Sequence, residues 1–218
     1  VMLEEMIRKG RTDITLRYNT NASNIKYKNH DVLDLWKHFK RVELSCSIDH
    51  YGERAEYIRH GTDWGLVEEN LIKAKKTKFI KLQMNTVLSV FNFLTIGDFY
   101  QYIIDKKLYS PKDSTYTLYN MSTPELFTCH ILPEEYKLRG KESLESAIRL
   151  MENKKFPDRC IQQLKEALPW AVLYNTWDQY KYAFRSEVAR VDKLRGENFT
   201  EVFPELAKLL EFDKRPVV

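Results

Sequence analysis

Residues Val42–Arg59, VELSCSIDHYGERAEYIR, are the most informative segment of the sequence. Its first eight residues alternate, with Val42, Leu44, Cys46 and Ile48 on one side and Glu43, Ser45, Ser47 and Asp49 on the other. This alternation predicts a β-strand with one polar face. The strand leads into a turn-rich segment that carries His50, Gly52, Arg54, Glu56 and Arg59. Because α/β proteins bind ligands where strands end, we place the candidate site here.

Segments on either side of this stretch repeat the pattern of strand and helix. Further strands are predicted at Ile14–Asn21, Phe79–Val87 and Thr115–Met121. Helices are predicted at Asp31–Phe39 and Ile96–Lys107. Between them, Thr62 is predicted to cap a further helix, whose buried stripe is Val67, Leu71 and Ala74. Strands that alternate with helices are typical of parallel βα units.

The last third of the sequence predicts helices alone. The apolar spacing indicates one helix around Leu144–Met151, a second from Ile161 that ends or kinks at Pro169, a longest helix from Trp170 to Leu194, and a short one from Pro204 to Leu210. We therefore predict an α/β protein in two parts, a partial (β/α) barrel of TIM type with parallel strands over residues 1–139 and an all-helical C-terminal extension over residues 140–218.

Composition excludes several classes of protein. The chain has 218 residues, 43% apolar and 30% charged, as in ordinary folded domains. Its net charge of +4 comes from nearly balanced bases and acids, so a nucleic-acid partner is not expected. The three cysteines are far apart and form no C-x-x-C pair, which favours a reducing, cytoplasmic setting. No apolar run has membrane-spanning length, so no membrane partner is expected.

The predicted strands share a polar side. Its members are Arg17, Asn19, Asn21, Glu43, Ser45, Ser47, Asp49, Lys81, Gln83 and Asn85. A closed (β/α) barrel fills its interior with branched apolar side chains, which these are not. Parallel strands with such faces favour a cavity for a polar ligand. An antiparallel sheet with one solvated face would produce the same alternation, and the sequence leaves this alternative open.

Three segments resemble a known family. TLRYNTN (15–21), the Val42–Arg59 stretch and IKLQMNTVLSVFN (80–92) resemble the third, fourth and fifth strands of radical S-adenosylmethionine (SAM) enzymes, in the branch that carries a SPASM or twitch domain. The matching residues are Thr20, Asn21, Ser47, Asp49, Arg59 and Asn92. The pattern departs from the family at His50, where Gly is usual, at Glu56–Tyr57, which replaces His-Asp, and at Ala22, which replaces Gly.

The resemblance implies an oxidoreductase or transferase in which a 4Fe-4S cluster cleaves SAM to a 5′-deoxyadenosyl radical that abstracts hydrogen from a small-molecule or peptide substrate. The implied SAM-binding residues are Thr20, Asn21, Ser47, Asp49, Arg59, Asn85, Asn92 and Leu126, with Arg59 pairing the SAM carboxylate. The C-x-x-x-C-x-x-C cluster motif is not in this sequence. Because the chain opens in mid-element, we expect the cluster ligands in an N-terminal part outside it, and no activity from this chain alone.

Other interpretations of the same residues remain. A non-catalytic α/β domain would bind a protein partner through the aromatic stripe Trp170, Tyr174, Trp177, Tyr180 and Phe184, although such spacing is more typical of a core. A barrel hydrolase would use Asp49 and His50 as acid and base. Structural roles are also open: Arg59 paired with Glu53 or Glu56, Asp49 capping a turn, and His50, His60 and His130 packed or solvated.

Overall fold

The fold is built on one parallel sheet. The computed structural model describes residues 2–27, 30–111 and 115–211. Val1, at the start of the first predicted part, and residues 212–218, at the end of the second, lie outside the described residues. The strands of the sheet are β1 (Thr15–Thr20), β4 (Arg41–Ser47), β5 (Ile80–Leu88) and β6 (Thr115–Asn120), in the order β1-β4-β5-β6. The chain segment that connects β1 to β4 contains a separate, small antiparallel pair, β2 (Lys26–Tyr27) and β3 (His30–Asp31), which the sequence did not predict.

All three pairings in the main sheet are parallel, which confirms the predicted strand direction and excludes the antiparallel alternative. The sheet has four strands and does not close into a barrel among the described residues. The helices are α1 (Met2–Arg8), α2 (Val32–Trp36), α3 (Gly52–Ile58), α4 (Trp64–Lys76), α5 (Ile96–Asp105), α6 (Glu134–Asn153), α7 (Asp158–Val172), α8 (Trp177–Arg195) and α9 (Phe199–Val202). Short 3-10 helices span Phe93–Thr95, Glu125–Phe127, Cys129–Ile131 and Pro204–Leu210.

The two faces of the sheet differ as the alternation predicts. One face carries apolar side chains such as Val42, Leu44, Cys46, Leu82 and Met84, all at most 3% exposed, and these form the core with the helices. The other face carries the polar side chains, which are half-buried or exposed apart from the buried Asp49. Parallel sheets are usually covered on both faces, so a polar and accessible face is unusual for this strand arrangement.

Several predicted boundaries are wrong. Asp63, not Thr62, caps α4, because its side chain accepts a hydrogen bond from the Leu66 amide. The turn-rich segment after β4 contains the helix α3. The longest helix is α6, with 20 residues, and it begins at Glu134, ahead of the predicted limit between residues 139 and 140.

The predicted helix from Trp170 to Leu194 is two helices. Helix α7 continues past Pro169 to Val172, and α8 begins at Trp177. Pro169 lies on the exposed side of α7, where water can satisfy the Lys165 carbonyl that loses its helical donor. Trp170 therefore belongs to α7 and not to α8.

The C-terminal helices pack on the sheet. Helix α7 lies along β6, and the Leu118 amide of that strand donates a hydrogen bond of 3.0 Å to Gln163 Oε1. Phe184 of α8 is fully buried and meets Phe127 and Phe199 edge to face. Residues of both predicted parts thus belong to one hydrophobic core.

Candidate functional site

The polar side chains of the strands form rows across the sheet, which we call the open face. The register aligns Arg17 with Glu43 and Lys81, then Asn19 with Ser45, Gln83 and Thr115, and then Ser47 with Asn85 and Thr117. Two hydrogen bonds link neighbours within the first two rows, from Arg17 Nε to Glu43 Oε2 at 2.8 Å and from Ser45 Oγ to Gln83 Oε1 at 2.9 Å.

The last of these rows is the least satisfied. Among the described residues, the side chains of Ser47, Asn85 and Thr117 have no hydrogen-bonding partner, and all three are half-buried. The row lies toward the carboxyl ends of β4, β5 and β6, the place where parallel α/β sheets bind ligands. These three side chains therefore offer free donors and acceptors to a polar ligand.

Helix α8 covers the sheet just beyond this row and leaves a cavity of about 220 Å³, which we call the roofed cavity. Asp49, Val87 and Met121 continue the open-face side of their strands and line its floor. The wall from α8 is formed by Glu187, Val188, Arg190, Val191 and Arg195, and the remaining lining by Tyr57, Ile58, Ser89, Phe91 and Phe127.

Asp49, Arg59 and Asn92 meet at the carboxyl end of β4. Arg59 Nε and Nη2 each lie 2.8 Å from Asp49 Oδ2, and Asp49 Oδ1 accepts a hydrogen bond of 2.8 Å from the Val87 amide. Asn92 Nδ2 donates to the carbonyls of Asp49 and Val87 at 3.0 and 2.9 Å, and its Oδ1 accepts from Ser89. Because these bonds join the ends of two strands, the cluster has a structural role and gives the roofed cavity a rigid floor.

Arg59 therefore pairs with Asp49, not with Glu53 or Glu56. Its side chain is 33% exposed, against 7% for Asp49. Glu56 instead caps the start of α4 by accepting a hydrogen bond of 2.8 Å from the Trp64 amide. One third of the Arg59 side chain is exposed, and among the described residues its Nη1 has no hydrogen-bonding partner.

Among the described residues, the side chains of the other implied SAM-binding residues make no hydrogen bond to this cluster. Thr20 and Asn21 stabilise the turn after β1, where their side-chain oxygens accept hydrogen bonds from the amides of Ala22 and Ser23. Leu126 is half-buried in the 3-10 helix Glu125–Phe127, whose neighbour Phe127 lines the roofed cavity. Of the eight implied residues, Ser47 and Asn85 are adjacent on the open face, and Asp49 lies in the cavity floor.

His50 points into the core, away from Asp49. It is 1% exposed, its Nε2 lies 3.0 Å from Thr95 Oγ1, and its ring stacks on Phe99. Burial, together with the charge of Arg54, lowers the pKa of His50 to about 3. A neutral, buried imidazole that faces away from the carboxylate does not form the acid-base pair of the hydrolase interpretation.

The cysteines do not form a metal site. Cys46, Cys129 and Cys160 are free and buried, and burial raises the pKa of Cys46 to about 12, which keeps it a thiol. Among residues 2–27, 30–111 and 115–211 no three His, Cys, Asp or Glu side chains are placed to hold a metal ion.

The sequence did not predict that α8 would form one side of the roofed cavity. Glu187, Arg190 and Arg195 read as the solvated face of a helix, and charges on such a face carry no signal of what lies across from them. Of the aromatic stripe, Phe184 is fully buried, Trp170, Trp177 and Tyr180 are half-buried, and Tyr174 is exposed. The partner-binding hypothesis stays a prediction.

Within the described part of the chain, every helix is too short or too polar to cross a membrane. Comparisons of the chain with protein-family models, curated proteins and solved structures found no match.

Proposed function

We propose that this chain is the SAM-binding, C-terminal portion of a cytoplasmic radical SAM enzyme, with its sheet as part of a TIM-like barrel. The observation that carries the proposal is the open face of a parallel sheet. Its Ser47, Asn85 and Thr117 side chains have no hydrogen-bonding partner in the described part of the chain, and they lead into a cavity at the carboxyl ends of the strands. A purely structural sheet would gain stability from apolar side chains at these half-buried places.

The groups of SAM match this face by type. Its ribose hydroxyls, amino group and carboxylate need donors and acceptors in close reach, and the Ser47, Asn85 and Thr117 row supplies both. In this proposal the exposed edge of Arg59 pairs the carboxylate, while Asp49 holds the guanidinium in place through Oδ2. The cluster ligands come from outside the described residues, since Cys46 faces the core.

The role of this chain is then to bind and orient. With its cluster, SAM supplies the radical that abstracts hydrogen from a substrate whose identity is open. The residues of the open face hold the nucleotide against the sheet, and the rigid Asp49–Arg59–Asn92 cluster fixes the distance between the nucleotide and the roofed cavity.

The test is SAM binding to the isolated chain by equilibrium dialysis. We expect measurable binding, weakened about tenfold or more by the double substitution Ser47→Ala and Asn85→Ala, because two hydrogen bonds to the ligand are lost. Asn153→Ala, an exposed amide at the end of α6, is the matched control and leaves the affinity unchanged. Equal affinity of the double variant and the parent, or no binding at millimolar SAM, contradicts the proposal.

A further inference from the structure

We infer that the roofed cavity binds a free α-amino acid with an apolar side chain. This inference does not rest on the proposed function, because it concerns a different set of side chains from the Ser47 row and is tested without SAM. Its basis is the size of the cavity, the pattern of its charges and its apolar walls.

The size of the cavity fits a small organic molecule. Its volume is about 220 Å³, and a cavity of about 150 Å³ already holds benzene. An aromatic or branched amino acid is therefore near the upper limit of what fits, and a nucleotide is too large to enter whole.

The lining carries equal numbers of acids and bases, with Asp49 and Glu187 against Arg190 and Arg195. Asp49 lies on the strand side, and Arg190 and Arg195 lie on the helix side, so opposite charges face each other across the space. Each of these charges already has an opposite charge nearby, since Asp49 pairs with Arg59, Glu187 with Arg190, and Arg195 with Glu197. The lining is therefore close to neutral, and a zwitterion, which is neutral overall and finds a partner for each of its ends, suits it better than a lone anion or cation.

The charged groups keep capacity for a ligand. Arg195 Nη1 donates to the Tyr57 carbonyl at 3.1 Å and lies 3.6 Å from Glu197 Oε2, which leaves other guanidinium N–H groups for a carboxylate. Asp49 Oδ2 is occupied by Arg59, but among the described residues Oδ1 accepts from the Val87 amide alone, so Oδ1 has room for an ammonium donor. Arg190 Nη2 and Nε donate to the two carboxylate oxygens of Glu187 at 2.6 and 2.8 Å, and this pair completes the rim of the roofed cavity.

The walls between these charges are apolar. Val87, Phe91, Met121, Phe127, Val188 and Val191 surround the same space. An apolar side chain buried against them is stabilised by leaving water, and a polar or charged side chain would lose hydration without gaining a partner. These walls favour amino acids such as phenylalanine, leucine or methionine over serine or glutamate.

The test compares three probes of one shape by ligand-observed NMR on the full chain: L-phenylalanine, 3-phenylpropionate and 2-phenylethylamine. L-Phenylalanine is expected to bind about tenfold or more tightly than either of the others, because each of them lacks one of its two charges. Equal binding of 3-phenylpropionate would show an anion site, equal binding of the amine a cation site, and no binding of any probe would exclude an amino-acid site. Each of these three results overturns the inference.

Two variants locate the binding. Val191→Phe fills the cavity from α8 and is expected to abolish the phenylalanine signal, and Arg195→Ala is expected to weaken it about tenfold or more. The control is Arg149→Ala on α6, which also lies on an exposed helix face beside a glutamate, 4.0 Å away, and leaves binding unchanged. If phenylalanine binds the folded Val191→Phe and Arg195→Ala variants as it binds the parent, its site is elsewhere and the inference is wrong. Ser47→Ala with Asn85→Ala is expected to leave this signal intact, which separates it from SAM binding.

Discussion

At the scale of single residues, side-chain direction decides which candidates belong together. Asp49 and His50 are neighbours in sequence, yet one lines the roofed cavity and the other lies in the core beside Phe99. In extended backbone, successive side chains point to opposite sides, so two residues that are adjacent at the end of a strand have their side chains apart. Arg59 reaches Asp49 because α3 carries the chain back across the end of β4.

The buried His50 predicts a pH dependence of stability. Its pKa is about 3 in the folded protein against 6.5 when exposed, so below pH 6.5 the unfolded chain binds a proton that the folded chain does not. The free energy of unfolding should therefore fall by about 2 kcal/mol from this group between pH 7 and pH 5. Urea unfolding of the parent and of His50→Gln at both pH values measures it.

The glutamine variant should lack this part of the pH dependence. His38→Gln is the control, since His38 is exposed, and it should keep the slope of the parent. If His50→Gln and the parent lose the same stability between pH 7 and pH 5, then His50 is not the buried neutral group described above.

At the scale of elements, contacts from other parts of the chain override a regular pattern. The apolar spacing from Trp170 to Leu194 predicts one helix, but the chain leaves the helix between Val172 and Trp177. His130 Nε2 lies 2.7 Å from the Trp170 carbonyl, and Lys137 donates to the Tyr174 carbonyl. The carbonyls of Trp170 and Tyr174 therefore accept hydrogen bonds from residues outside α7 and α8. In addition, the Thr176 amide donates to the His130 carbonyl at 2.9 Å.

The packing of α6 on the core depends on Gly140. A Cβ at this position would lie 2.4 Å from ring carbons of Phe93, which is itself fully buried and unable to move away. Gly140→Ala should therefore destabilise the protein by about 2 kcal/mol, because overpacking outweighs the gain of about 1 kcal/mol in helix propensity. Thermal and urea unfolding measure the change.

Gly65→Ala in α4 is the matched control for Gly140→Ala. Its Cβ would lie 3.3 Å from Oδ1 of the exposed Asp63 side chain, the atom that caps α4. A small shift of this cap offsets part of the gain in helix propensity, so the variant should change stability by less than about 1 kcal/mol in either direction. A stabilising effect of Gly140→Ala would mean that α6 does not pack against Phe93 as described.

At the scale of the whole molecule, the C-terminal helices and the sheet are held together by aromatic and ionic contacts. Phe203 is fully buried, with its ring 5.2 Å from that of Tyr57 and 5.6 Å from that of Phe91. Arg54 lies over the same ring at 5.3 Å and pairs with Glu205 at 2.5 and 2.8 Å. These contacts join α3 and the strand ends to residues more than a hundred positions later in the chain.

Phe203→Ala tests whether the two parts unfold together. We expect a loss of about 3–5 kcal/mol in the free energy of unfolding, with the transition remaining single, because the ring is shared between both parts. Circular dichroism and tryptophan fluorescence should report the same urea midpoint. Tyr182→Ala, which removes an aromatic ring that is 62% exposed, should change stability by less than about 0.5 kcal/mol. Separate midpoints for the two probes would show that the helical extension is a domain of its own.

Local periodicity in the sequence predicted the four strands of the main sheet and the polar character of the open face. Alternation in steps of two marks each strand and its two faces, and the helices between strands favoured parallel pairing without excluding an antiparallel sheet. Ser47, Asn85 and Asp49 were identified for the same reason, since a residue that alternates with buried neighbours must lie on the opposite face.

What covers the open face, and which charges meet there, depends on how the helices pack in the folded chain. The break before α8, the position of α8 over the strand ends and the roofed cavity between them depend on contacts between residues far apart in sequence, such as Lys137 with Tyr174 and Asp49 with the Val87 amide. Periodicity reports which side of an element is buried, but not which other element buries it. For this reason Arg190 and Arg195 appear in sequence as solvated charges and in the folded chain as one wall of the cavity.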